Sequence, residues 1–122
     1  MTVNSIIELV DLKEPNAYTA DEKIRWLSDL DGKIFREAIL THEHEEDAEF
    51  EPYSDGTEEL LIGAPYGEDI YVHYVIARIA AGNAETARYN QQIAMYNAAY
   101  SQWWNRLNAT VTPLHEGHRF RF

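Results

Sequence analysis

Tyr89, Ile93, Tyr96, Tyr100, Trp103 and Leu107 recur at intervals of three and four residues. That spacing puts all six on one side of an α-helix and on no single face of a strand. It predicts a helix over about residues 84–108. Core packing is expected to account for most of this stripe.

Three further helices fit the same rule. The first covers about residues 3–13, with Ile6, Ile7, Leu9 and Val10 as its apolar side and Pro15 marking its end. The second opens at "TADE", where Thr19 caps and Glu22, three residues on, answers it as a capping box. Ile24, Leu27, Leu30, Ile34, Phe35 and Ala38 then form a helical stripe to about residue 40. Gly32 lies inside it at a cost of roughly 1 kcal/mol relative to Ala, which points to a close helix crossing. The third covers about residues 67–81, with Ile70, Tyr71, Tyr74, Ala77 and Ala81 on one face. Gly82 ends it and Asn83 caps the next helix.

Residues 41–66 lack helical periodicity and hold Pro52, Gly56, Gly63 and Pro65, with "SDG" as a turn signal and room for a short strand at "TEELLIG". The expected fold class is therefore all-α: a small bundle of about four helices, with a long acidic loop between the second and third. A chain of 122 residues suits one domain with one core. We place that domain at residues 1–112 and a C-terminal tail at 113–122.

Charge is distributed unevenly. Residues 1–36 carry seven acidic and five basic side chains, residues 37–77 twelve acidic and none basic, and residues 78–122 two acidic and five basic. Nucleic-acid binding through phosphates needs clustered Lys and Arg, so it is not expected of the free subunit. An acidic middle and a basic end suit contact with another copy or a charged partner. The absence of cysteine excludes disulfides, thiolate metal sites and cysteine nucleophiles. The N-terminal stretch reads as an amphipathic helix rather than a signal peptide, and no segment suits a membrane span.

The stretch "THEHEEDAEFEP", residues 41–52, comes close to the T-H-x-H-x-D-H signature of binuclear zinc hydrolases of the metallo-β-lactamase type. Thr41, His42 and His44 fit, but Glu46 stands where Asp is needed and Asp47 where a third His is needed. Zinc also needs a third protein ligand held by an outer shell. We expect no metal site and no cofactor, with the histidines incidental. Glu43, Glu45, Glu46, Asp47, Glu49 and Glu51 are read as a solvated acidic surface. His73 reads as a helix-surface or partly buried residue. Ser5, Ser28, Ser54 and Ser101 lie in no nucleophile-elbow context, and nothing suggests a carboxylate held in a desolvated pocket, so an enzyme is not expected.

Trp103 and Trp104 are adjacent and lie about 100° apart around a helix axis, more than a small bundle covers. Both are candidate interface anchors, as is Trp26 beside the stripe of its helix. Arg119 and Arg121 join them as interface candidates at the basic end of the chain.

"ARYNQQIAMYNAAYSQWWNR", preceded by "APYGEDIYVHYVIARIAAGNAE", resembles the R-Y-N-N-S-M-A-L-F-N-x-A-Y pattern of small proteins from tailed-phage and prophage structural gene clusters. "DLKEPNAYTADEKIRWLSDLDGKI" is similar to the same family's L-K-P-N-x-[YF] and K-x-x-W-L-x-x-L-x-G-x-I. Ala84 stands where Gly is expected, Tyr96 where Phe is, and Gln91 with Gln92 in place of Asn-Ser. The family resembles head–tail connector proteins, also called adaptor or head-completion proteins. The resemblance implies a helical subunit that forms a homo-oligomeric ring, usually of about twelve copies, beneath the capsid portal. It implies the portal protein and a tail or stopper protein as partners, DNA passing without sticking, and no catalytic residue. The implied location is the virion neck, or the host cytoplasm during assembly of a prophage-encoded particle. Two alternatives from other classes are an acidic DNA mimic or inhibitor and a metal-dependent hydrolase using His42 and His44.

Overall fold

The structure, a computed structural model, describes residues 1–42, 44 and 46–110. They form four α-helices: α1 Val3–Lys13, α2 Ala20–Ile34, α3 Tyr66–Gly82 and α4 Thr86–Thr110. A π-helical turn, Phe35–Ile39, extends α2. The fold is all-α, and none of the described helices is long and apolar enough to cross a membrane.

α3 is the central helix. Ile70, Tyr71, Val72, Val75, Ile76, Ala77, Ile79 and Ala80 bury most of its circumference, and α1, α2 and α4 all pack on it. Val3, Ile6, Ile7 and Val10 from α1 and Ile24, Leu27, Leu30 and Ile34 from α2 complete the core. Each such side chain contributes about 1.5–3 kcal/mol on leaving water.

The helix starts explain why a long non-helical segment is tolerated. Thr2 Oγ1 accepts from Ser5 N at 3.2 Å, while Val3 N donates to Glu58 O at 3.0 Å and Asn4 N to Gly56 O at 2.8 Å. Residues 50–62 thus run as a strap across the start of α1 and supply acceptors for N–H groups that a helix leaves unpaired. Gly56 makes the turn at φ 87°, with the Asn4 amide where a Cβ would stand. At α2, Thr19 Oγ1 accepts from Glu22 N at 3.2 Å as expected. The reciprocal bond of a full capping box is replaced by the Thr19 hydroxyl donating to the Glu22 carboxylate at 3.3 Å.

Four expectations are corrected in detail. The second helix does not stay α to residue 40: Leu40 N reaches Phe35 O, five residues back, where Thr41 Oγ1 and His42 compete for the preceding carbonyls. Gly32 accommodates the Phe50 ring of the strap, 3.5 Å from an added Cβ, rather than a crossing helix. "TEELLIG" forms no strand, only one isolated bridge between Thr2 and Glu59, because its polar groups serve the helices instead. Asn83 is the C-cap of α3 rather than the N-cap of α4, which starts at Thr86. Ala84 turns the chain between them at φ 59°. That left-handed geometry gives the physical reason for a glycine at this position.

Candidate functional site

The strap is anchored by one buried carboxylate that the sequence reading did not anticipate. Asp31 of α2 is fully buried and accepts from Tyr53 Oη at 2.5 Å, Tyr71 Oη at 2.6 Å and Leu61 N at 3.1 Å. Tyr71 Oη in turn accepts from Ile62 N at 3.0 Å, and Ser28 Oγ accepts from Tyr53 N at 3.0 Å. Both ends of the strap therefore close on α2 and α3. Burial pushes the Asp31 carboxyl above its usual range, against the opposing pull of its three donors. Burial and the adjacent carboxylate push both tyrosine hydroxyls well above theirs. All three groups serve as permanent hydrogen-bond partners at neutral pH. Asp31 sits in the α2 stripe between Leu30 and Ile34, where a charged residue beside an apolar position was the only signal available.

The acidic stretch divides into two kinds of carboxylate. Asp55 Oδ1 accepts from Thr57 N at 2.9 Å and Thr57 Oγ1 at 2.7 Å. Glu58 accepts from Ser54 N, Ser54 Oγ and Gly56 N. These bonds hold both below the ordinary carboxylate range and shape the turn. Glu46, Asp47, Glu49 and Glu51 are exposed, as expected for a solvated surface. Glu43 and Glu45 lie outside the described residues.

His42 is not an incidental loop histidine. It is 3% exposed, and its Nδ1 lies 2.8 Å from Ala38 O and its Nε2 2.7 Å from Asn108 Oδ1 near the end of α4. A carbonyl only accepts, so Nδ1 carries a proton. Nε2 either donates to Asn108 or accepts from its amide turned over. The imidazole and Trp104 make a T-shaped pair, 5.5 Å between centroids and 90° between planes. With both ring nitrogens engaged inside the protein, His42 presents no lone pair outward. His44 Nδ1 lies 2.7 Å from His42 O. Among the described residues no three His, Asp or Glu side chains converge to hold a metal ion.

α4 is the exposed member of the bundle. Its main helical neighbour is α3, and none of its 25 residues is buried. The stripe from Tyr89 to Leu107 therefore packs without being enclosed. Tyr74, Tyr96, Tyr100, Trp103 and Trp104 form a ladder with successive centroids 5.5–6.5 Å apart. Burial raises the Tyr96 and Tyr100 hydroxyls above their ordinary pKa, with neighbouring ring and carboxylate charges adding to it. The chain matches no protein-family model, no curated protein and no solved structure.

The two adjacent tryptophans line different grooves. Trp103 lies with Arg106 beside the turn Leu61–Tyr66, which contains the cis Ala64–Pro65 bond, in a groove of about 400 Å³. Trp104 lies with Tyr100, Ser101 and Asn105 facing Glu37, in a groove of about 350 Å³. Trp26 is covered within the chain: Tyr18 meets it edge-on at 5.2 Å and the Arg78 guanidinium lies 5.3 Å above its ring. His73 sits half-buried with Nδ1 2.7 Å from Gln92 Oε1, joining α3 to α4. Arg119 and Arg121 lie outside the described residues.

Proposed function

We propose that the chain is a structural subunit of the head–tail connector type, which assembles as a ring beneath a portal and links capsid to tail. The reading starts from the motif resemblance, and the observation that carries it is the one-sided burial of α4. A 25-residue helix without a single buried residue leaves a lengthwise surface open. Ala87, Gln91, Ala94, Ala98, Ser101 and Asn105 recur there at intervals of four and three, all exposed and none charged. Four of the six are Ala or Ser, and uncharged side chains in that register allow another helix to approach. The strap and the segment before it carry carboxylates without a single Lys or Arg from residue 37 to 77. Two unlike surfaces on one subunit are what a head-to-tail ring requires.

In this reading the chain acts through contacts and not through chemistry. Its partners are further copies of itself, a portal protein and a tail or stopper protein. Exposed carboxylates offer passing DNA no cationic partner for its phosphates. Electron microscopy of the purified protein mixed with the portal protein from the same genome tests it. A ring of density added beneath the portal is expected, and a mixture in which the two never associate sinks the reading.

The acidic DNA mimic is a second reading, and one observation favours it. Asp55, Glu58 and Glu59 stand on a turn fixed by its own hydrogen bonds and by the start of α1, so part of the negative surface is rigidly spaced. That reading predicts a binary complex with a DNA-binding protein, competed away by duplex DNA.

A further inference from the structure

The groove beside Trp104 combines features that no packing role within α4 requires. Tyr100 and Trp104 lie with ring planes 17° apart and centroids 6.4 Å apart, giving two nearly parallel aromatic surfaces at its wall. Glu37, on the π turn opposite, lines the same groove. Its side chain is exposed, and it pairs with no cation among the described residues. Flat aromatic faces attract a guanidinium through their quadrupole, and a carboxylate accepts its paired N–H groups. This arrangement suits an arginine side chain better than it suits an apolar or anionic ligand.

The chain holds such a side chain within reach. Trp104 is six residues before the end of α4, about 9 Å along the axis. Arg119 is nine residues beyond that end, a reach of up to about 30 Å. Residues 118–122 read His-Arg-Phe-Arg-Phe, two arginines alternating with two aromatics. Apart from Glu116 the segment after α4 carries no acidic side chain, whereas the groove contributes one and no cation. We propose that the groove formed by Glu37, Tyr100 and Trp104 is a docking site for the Arg119–Phe122 end of the same chain, with an arginine against the aromatic faces and Glu37 as its anion.

The proposal stands whether or not the subunit forms a ring. The test uses the full-length protein labelled with nitrogen-15, with the indole N–H peak of Trp104 assigned through Trp104→Phe. Glu37→Gln and the pair Arg119→Gln/Arg121→Gln are each expected to shift that peak in the same direction and to leave the Trp26 peak in place. All three substitutions together are expected to move it no further than either set alone. Glu37 is exposed, so its substitution leaves the helices intact, which circular dichroism checks. A Trp104 peak that ignores the tail substitutions overturns the proposal. So does a shift that disappears on dilution, since that assigns the groove to the tail of a second copy.

Discussion

His42 Nε2 lies 2.7 Å from Asn108 Oδ1, joining the turn after α2 to the last turns of α4 across 66 residues of chain. Because the imidazole is buried and also serves Ala38 O, truncation leaves polar groups without partners. His42→Ala is expected to cost about 2 kcal/mol in urea unfolding. A double-mutant cycle with Asn108→Ala should return a coupling of about 1 kcal/mol. Additive losses would mean that the two side chains do not depend on each other.

Asp31 has a pKa raised by burial, and the sign of its pH dependence follows. A folded-state pKa above the unfolded value means that the native protein holds the proton more tightly. The contribution is fully present below the unfolded value and is lost as pH rises through the folded one. Asp31→Asn leaves an acceptor that cannot serve three donors, so a loss of about 2 kcal/mol at neutral pH is expected. The wild type should gain further on the variant as pH falls into the carboxylate range. Unfolding curves across that range check it, and a constant difference would show that Asp31 does not titrate there. Asp11 runs the other way: burial raises it, but the Lys23 and Asn16 bonds outweigh that and leave it lowered, so its contribution fades on acidification.

Ala84 sits at φ 59° between α3 and α4, where a Cβ costs and a hydrogen does not. Ala84→Gly is expected to stabilise the fold by up to about 1 kcal/mol, against the usual penalty of glycine near a helix. Thermal unfolding should show the midpoint rising. The opposite result follows for Gly56→Ala, where φ is 87° and the Asn4 amide occupies the space. That change should loosen the strap from the start of α1.

Glu46, Asp47, Glu49 and Glu51 are exposed. Converting them to Gln together with Glu43 and Glu45 should change stability by no more than about 0.5 kcal/mol per site. On the connector reading, ring assembly continues while DNA passage slows, measured by genome packaging and ejection. Unchanged packaging and ejection would mean that these carboxylates do not ease the passage of DNA. Glu58→Gln differs, since it weakens an acceptor for Ser54 N and Gly56 N, and it should lower stability without any effect specific to DNA.

Helices with a one-sided apolar period could be read directly: the ends of α1 match the expected range, and α3 and α4 differ by one or two residues at each end. The Thr19 cap was readable for the same reason, because its partner is three residues away. Asp31, His42 and Tyr71 were not, because their roles depend on residues 22 to 66 positions distant. Spacing along the chain cannot say that a carboxylate in an apolar stripe will meet two tyrosine hydroxyls. The stripe of α4 misled in a different way: periodicity locates a packed face but does not tell how many helices lie against it, and here α3 is the main one.

Reliance on one main helical neighbour has a dynamic consequence. α3 holds its backbone amides beneath packed side chains on most of its circumference, whereas α4 is tied to it by a partly exposed aromatic ladder and joined through the short turn at Ala84. Local opening therefore costs less for α4 than for the helix it rests on. In hydrogen exchange α4 should form a separate, faster unit, able to lift or reseat without unfolding the core, and a partner that covers its open side would slow that exchange along its whole length.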